Sequence, residues 1–246
     1  RRDPNMINSG SAAARRDDPA WVQQTAQRFK NLYSAVVYDI LDEQGLPHQC
    51  LDLAISPLSR DMQVAGPAYT VAAGPDVRQR DEIPPNIKLA DFGVFDAMYE
   101  GCVVVVGAAG ETQSGIWGEL MSNASRARGA TGIVIDGGIR DARLVRQIDG
   151  LDVFARYTSP IESLHRSRIH DIEVPISVTG TLSSQVRIDP GDWIFGDEDG
   201  VLVIPDQSLD EVLARSEEAK EIESKVRADV QSGVPVSEVY RTYGRL

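Results

Sequence analysis

Three short apolar runs constrain the fold most: Cys102-Val103-Val104-Val105-Val106, Gly132-Ile133-Val134-Ile135 and Val153-Phe154-Ala155. Each reads as a buried strand, and the segments around them carry helical spacing. Ile87 to Tyr99 precedes the first, Ile116 to Arg128 separates the first two, and Asp141 to Ile148 separates the second and third. Strands joined through helices form parallel βαβ units, because parallel partners need a long crossover. The centre of the chain is therefore expected to be α/β.

The flanks add further elements. Residues 1–18 are polar and rich in Arg, Asp, Ser and Ala, and read as a flexible arm. Pro19 opens a helical pattern through Trp21, Val22, Ala26, Phe29 and Leu32. Ser34 is placed to cap a second helix, Ala35 to Gln44, which Gly45 would stop. Met62 to Ala73 is strand-like, with Gly66-Pro67 expected to mark a bulge or an edge. Residues 74–86 contain three prolines and read as a loop. Beyond Ser159 the pattern turns to β, with strands over 174–179, 186–188, 193–195 and 201–204 and a turn at Gly196-Asp197-Glu198-Asp199-Gly200. Ser208 to Gly233 reads as a long charged helix whose thin apolar stripe suggests a surface position. One α/β domain over 19–207 follows, with 208–246 a helical extension contacting a neighbouring subunit.

With 246 residues the chain buries about 70 % or more of its unfolded surface and needs no staples. The net charge of −12 argues against nucleic acid or an anionic membrane as partner. No apolar run approaches the ~20 residues of a membrane span, and no signal-peptide pattern is present, so a cytoplasmic protein is expected. Cys50 and Cys102 read as inert thiols. His48, His165 and His170 show no metal-ligand spacing.

Two stretches concentrate the chemistry. Gly118-Glu119-Leu120-Met121 opens onto a helix whose first amides lack intrahelical partners and attract a carboxylate or phosphate, with Gly110, Gly115 and Gly118 leaving the approach open. The same glycines also suit a plain surface loop. Asp136-Gly137-Gly138-Ile139-Arg140-Asp141 follows a strand, with Gly137-Gly138 expected to turn the chain. Ligands collect at the carboxyl ends of parallel strands. Arg140 offers a planar fork for a carboxylate or oxyanion. Asp141 suits either a hard divalent cation or the N-cap of the next helix, and capping and ligation stay equally open. Glu119 is either a second acid near that ion or a first-turn glutamate favoured by the helix dipole. Ser159-Pro160-Ile161-Glu162-Ser163 resembles a helix start that borders a site.

The order and spacing of these pieces resemble the RraA-like family. It includes the 4-hydroxy-4-methyl-2-oxoglutarate/4-carboxy-4-hydroxy-2-oxoadipate aldolases and the regulator of ribonuclease E activity. The resemblance runs from about residue 30 to 225. It rests on Val37-Tyr38-Asp39-Ile40-Leu41-Asp42, the stretch Val64 to Val71, Trp117 to Met121, Ala127 to Gly132, Ile135 to Asp141, Val153 to Arg156 and the 190–201 segment. It implies a swivelling β/β/α sandwich assembled as a trimer or a dimer of trimers, with Mg²⁺ or Mn²⁺ and a 2-oxo acid substrate. By position it implies Asp141 as metal ligand, Arg140 as substrate arginine, the backbone of Gly118, Glu119, Leu120 and Met121 as carboxylate cradle, and Glu119 as the acid that holds water. It also implies that Glu217 or Glu218 reaches a neighbour's site. The family's usual acid three residues after the aspartate is here Leu144.

The resulting expectation is a metal-dependent aldolase that releases pyruvate from a 4-hydroxy-2-oxo acid, with oxaloacetate decarboxylation by the same logic. The alternatives are a non-catalytic regulator that binds a ribonuclease or helicase, and a relative acting on another hydroxy acid or a sugar acid.

Overall fold

The parallel centre is present in the computed structural model, which describes residues 15–83, 92–109 and 111–244. Strands β1 (Ser56–Pro57), β2 (Val64–Pro75), β3 (Val103–Gly107), β4 (Gly115–Trp117), β5 (Gly132–Ile139) and β6 (Asp152–Thr158) supply the α/β half. β7 (Ser167–Ile172), β8 (Ile176–Val178), β9 (Val186–Ile188), β10 (Trp193–Asp197) and β11 (Gly200–Ile204) complete the β content. The main sheet runs β1-β6-β5-β3-β2-β10-β11, a nearly closed, barrel-like path, while β8 and β9 form a separate pair. β2, β3, β5 and β6 are parallel, with Tyr69 beside Val104 and Val104 beside Ile133. Strands buried on both faces favour continuous β-branched runs, and Val103 to Val106 are fully buried.

Six helices are described: α1 (Pro19–Lys30), α2 (Ser34–Glu43), α3 (Glu119–Ala127), α4 (Ala142–Val145), α5 (Leu209–Gln231) and α6 (Val236–Tyr243). α1, α2 and α5 cover the β10–β11 side, where Phe29 packs on Trp193 and Phe195 with ring centroids 5.6 and 5.3 Å apart. Burying a side chain the size of Phe29 contributes about 1.5–3 kcal/mol. A second apolar cluster joins Trp117 to the opposite face of β3 and β5, and a third fills the space beneath β8 and β9. Both cysteines are free, and burial pushes the Cys102 thiol up to about 12.

Several expected boundaries shift. Gly137-Gly138 does not turn the chain: β5 continues through Ile139, absorbing the irregularity as a register shift against β6 between Ile135 and Gly138. Ile116 and Trp117 belong to β4, so the following helix begins only at Glu119. Ser34 is the first residue of α2, and its hydroxyl donates to Asp197. Gly66-Pro67 lies in a strand flanked by β10 and β3, away from any sheet edge. The segment 159–163 forms a bend and a bridge to Gly115 in place of a helix start. Of the helix expected over 87–99, residues 87–91 lie outside the described residues, and Phe92–Phe95 is a 3₁₀ turn. Residues 1–14 of the expected arm also lie outside, while Arg15 pairs with Asp206 and Asp210, and Arg16 with Glu173. The helical extension expected over 208–246 breaks after Gln231 and resumes as α6. Among the described residues no helix is long and apolar enough to cross a membrane.

Candidate functional site

β4 sits where β3 stops. β3 pairs with β5 as far as Ile135, and β4 then takes the same edge of β5 at Gly138 and Ile139, opposite β6. The far side of β4 is held by the Gly115 amide, which donates to the Ile161 carbonyl at 2.9 Å. A buried acid fixes the approach: Glu111 accepts from the amides of Gln113 and Ser114 and from the Tyr157 hydroxyl at 3.0 Å. Burial and this hydrogen bond push the Tyr157 phenol well above its usual range.

A cavity of about 420 Å³ opens beyond these strand ends, within the range typical of small-ligand sites, roughly 300–1,000 Å³. Gly118, Glu119, Leu120, Met121, Arg140 and Asp141 all line it, so the structure brings these six together. Gly110 lies outside the described residues.

Gly118 makes the convergence possible. A Cβ there would stand 3.0 Å from Arg140 Cγ and 3.1 Å from Asp141 Oδ2. As N-cap of α3 it has no side chain to occupy the helix amides. The Glu119 amide faces Asp141 Oδ2 at 3.4 Å. The next two amides have no intrahelical acceptor, as the first-turn geometry dictates. Glu119 points its carboxylate at Asn123, whose Nδ2 donates to Oε1 at 2.5 Å.

Asp141 sits at the N-cap of α4 but makes no side-chain cap, and its backbone is left-handed (φ 59°). A non-glycine residue in that region costs about 1–2 kcal/mol. The carboxylate turns toward α3, half-exposed, with Arg140 Nε 3.6 Å from Oδ2. Arg140 Nε is buried and has no hydrogen-bond partner among the described residues.

The far wall was not anticipated. It holds Asp76, Arg78, Ser167 and Arg168, with Glu162 and Ser163 at the border that the sequence did suggest. Arg78 grips Asp76 with Nε on Oδ1 at 2.8 Å and Nη2 on Oδ2 at 2.6 Å, which lowers the Asp76 carboxyl to about 2. Pro75 pairs with Ser167 across β2 and β7, which juxtaposes these two segments.

Around the cavity the carboxylates of Asp76, Glu119, Asp141 and Glu162 outnumber the guanidinium groups of Arg78, Arg140 and Arg168 by one. That excess suits an added cation. Among the described residues no three His, Cys, Asp or Glu side chains converge as a metal cage. The residues that could hold a hard ion such as Mg²⁺, commonly bound by one or two carboxylates and its own waters, are Asp141 and Glu119. Glu217, one of the two glutamates considered for a neighbouring site, is gripped by Arg28 of its own chain at 2.6 Å; Glu218 is exposed.

A profile of the RraA-like family (Aldolase/RraA) matches residues 34–203. The chain belongs to the RraA-like family. Among RraA-like relatives, a Halalkalibacterium halodurans protein provisionally described as a 4-hydroxy-4-methyl-2-oxoglutarate aldolase is 35 % identical over 192 residues, covering 77 % of this chain and 80 % of that one. Protein DlpA of Legionella pneumophila is 28 % identical over 217 residues, covering 88 % of this chain; the match spans 33 % of DlpA. The crystal structure of Streptomyces coelicolor RraAS2, described as an unusual member of the RNase ES inhibitor RraA protein family, superposes with a TM-score of 0.70 at 27 % identity. That match covers 83 % of this chain and 96 % of RraAS2. The RraA-like family thus takes in both aldolases and RraA regulators.

Proposed function

We propose that this RraA-like chain is a lyase, dependent on Mg²⁺ or Mn²⁺, that cleaves a 4-hydroxy-2-oxo acid to pyruvate and a second carbonyl product. The observation that carries the proposal is the convergence of Arg140, Asp141 and the amide end of α3 across Gly118 on one cavity wall. Asp141 would hold the cation, which supplies Lewis-acid stabilisation of charge on the 2-oxo acid when bound.

The chain's own groups account for the rest. The amides of Leu120 and Met121 receive the substrate's 1-carboxylate at the positive end of α3. Arg140 places its fork on the oxygens whose charge grows as the C3–C4 bond breaks. Glu119, oriented by Asn123, takes the 4-hydroxyl proton through a water. The C3–C4 electron pair passes toward the C2 carbonyl, giving an enolate whose protonation at C3 completes pyruvate. Oxaloacetate would lose CO₂ by the same electron flow. Leu120, exposed while lining the cavity, is open to a neighbouring subunit in a trimer or a dimer of trimers.

The likeness to RraAS2 supports a second reading, in which the chain regulates a ribonuclease. Incubation with Mg²⁺, oxaloacetate and a panel of 4-hydroxy-2-oxo acids, with and without chelator, separates the two. Metal-dependent pyruvate release is expected. Silence across the panel favours the regulator, and wild-type turnover in Asp141→Ala overturns the metal assignment.

A further inference from the structure

The charged groups on the far wall of the cavity cancel one another. Asp76, its side chain 2 % exposed, has both oxygens held by Arg78 and is also under the charge of Arg168. Glu162 brings a second carboxylate to the same wall. Two acids thus meet two guanidinium groups. A second substrate carboxylate arriving there finds no net positive charge to offset its loss of water.

Much of the remaining lining is apolar. Met121 from the first turn of α3, Leu164 from the loop after β6 and Ile169 from β7 line the cavity, and each is partly exposed. Met121 and Ile169 also pack against the buried cluster that holds Ile116 and Trp117, two further lining residues. Apolar surface left open to water favours an apolar ligand group that covers it. An unbranched thioether such as that of Met121 adapts to the shape of that group.

We propose that Met121, Leu164 and Ile169 form the subsite for an uncharged alkyl group on C4 of the substrate, which makes the preferred substrate a monoacid with an aliphatic tail. The proposal rests on the lyase reading above for its chemistry. The α3 amides take the one carboxylate that such a substrate carries. Breaking C3–C4 releases pyruvate and turns C4 with its tail into an aliphatic aldehyde. The proton lost from the 4-hydroxyl is matched by the one that C3 gains, and no oxidant or reductant is consumed. The ligand class differs from the diacid in the provisional description of the Halalkalibacterium halodurans relative.

The test varies only the tail. For binding, the Mg²⁺-loaded protein is titrated calorimetrically with 2-oxobutyrate, 2-oxopentanoate and 2-oxohexanoate, and with 2-oxoglutarate, which has the carbon count of 2-oxopentanoate but ends in a carboxylate. Wild type is expected to bind about fourfold more tightly for each added methylene, the gain of moving one such group out of water. 2-Oxoglutarate should bind about fivefold more weakly than 2-oxopentanoate, since its second charge is desolvated without a partner. Leu164→Gln should flatten the rise along the series, and Leu164→Met should keep it. Ile169→Thr should flatten it as well, and Leu164→Gln decides alone if that variant does not fold. For turnover, KM should be lower for 4-hydroxy-2-oxohexanoate than for 4-hydroxy-2-oxoglutarate. A flat series in wild type, tighter binding of 2-oxoglutarate than of 2-oxopentanoate, or an unaltered rise in Leu164→Gln overturns the subsite. If wild type turns over no substrate, the lyase reading fails while the binding series still decides the subsite.

Discussion

Gly118 and Arg140 are in van der Waals reach, so that a methyl group on the first would stand 3.0 Å from Cγ of the second. The missing side chain is what lets the arginine lie against the open end of α3. Gly118→Ala should therefore displace the Arg140 and Asp141 side chains while leaving the sheet in place. The expected result is a fall in kcat/KM of roughly tenfold or more, as misplacement of about 1 Å produces. The melting temperature should stay within a few degrees. Pyruvate release and a thermal melt on the same sample check both, and full activity in the variant would remove Gly118 from the argument.

Gly138→Ala should do the reverse. A Cβ at that position would collide with the Ser114 carbonyl and the Tyr157 ring, and backbone cannot step aside as an arginine tip can. Overpacking of this kind costs about 1–3 kcal/mol. A urea titration should show a lowered midpoint with an unchanged slope.

Asp136 is 7 % exposed and ties three segments: Arg156 donates to Oδ1 at 2.7 Å, and the Thr179 amide to Oδ2 at 2.9 Å. Arg156 keeps Asp52 at 3.3 Å, so removing Asp136 costs about 1–3 kcal/mol, the penalty of donors left without their acceptor. Asp136→Ala should lose that much in equilibrium unfolding. Asp136 and Arg156 do not line the cavity, so the folded fraction should release pyruvate as wild type does.

The Asp76–Arg78 pair makes a pH prediction. The folded carboxyl lies at about 2 against an ordinary 3.8, chiefly through its hydrogen bond to Arg78. A depressed pKa contributes stability that is present above the unfolded value and lost as pH falls through the folded one. Asp76→Asn should therefore be less stable than wild type at neutral pH, and the gap should close between about pH 4 and pH 2. A gap of constant size over that window would show that the ion pair is not its source.

Leu144 is the position where the family's usual acid is absent. It is exposed, sits in the first turn of α4, and does not line the cavity. An acid there would act on the helix end, an effect of about 0.3–1 kcal/mol. Leu144→Glu is expected to raise stability slightly and to leave kcat and KM within about twofold, which steady-state kinetics will read.

Much of this was legible in the sequence. Val103 to Val106 and Ile133 to Ile135 announce buried parallel strands because their side chains leave no polar face. Once they are parallel, the topology alone brings the residues after each strand to one rim, so Gly118, Arg140 and Asp141 could be grouped in advance. Local spacing failed where pairing overrode it. Gly137-Gly138 looks like a turn, yet contacts with β4 and β6 keep it extended. Ile116 and Trp117 fit an apolar helix face as readily as a strand. The far wall was invisible for another reason: Asp76 and Arg168 are separated by more than ninety residues and meet only through the pairing of β2 with β7.

The row of the sheet beside β5 is built from two pieces of chain, β3 and then β4. At the seam between them the chain leaves the row and comes back, and the returning piece delivers a helix end at the rim. The pocket is thus a dislocation in the stacking of strands. It exists because one strand was exchanged for another partway up, and the layers below it carry the load of folding undisturbed.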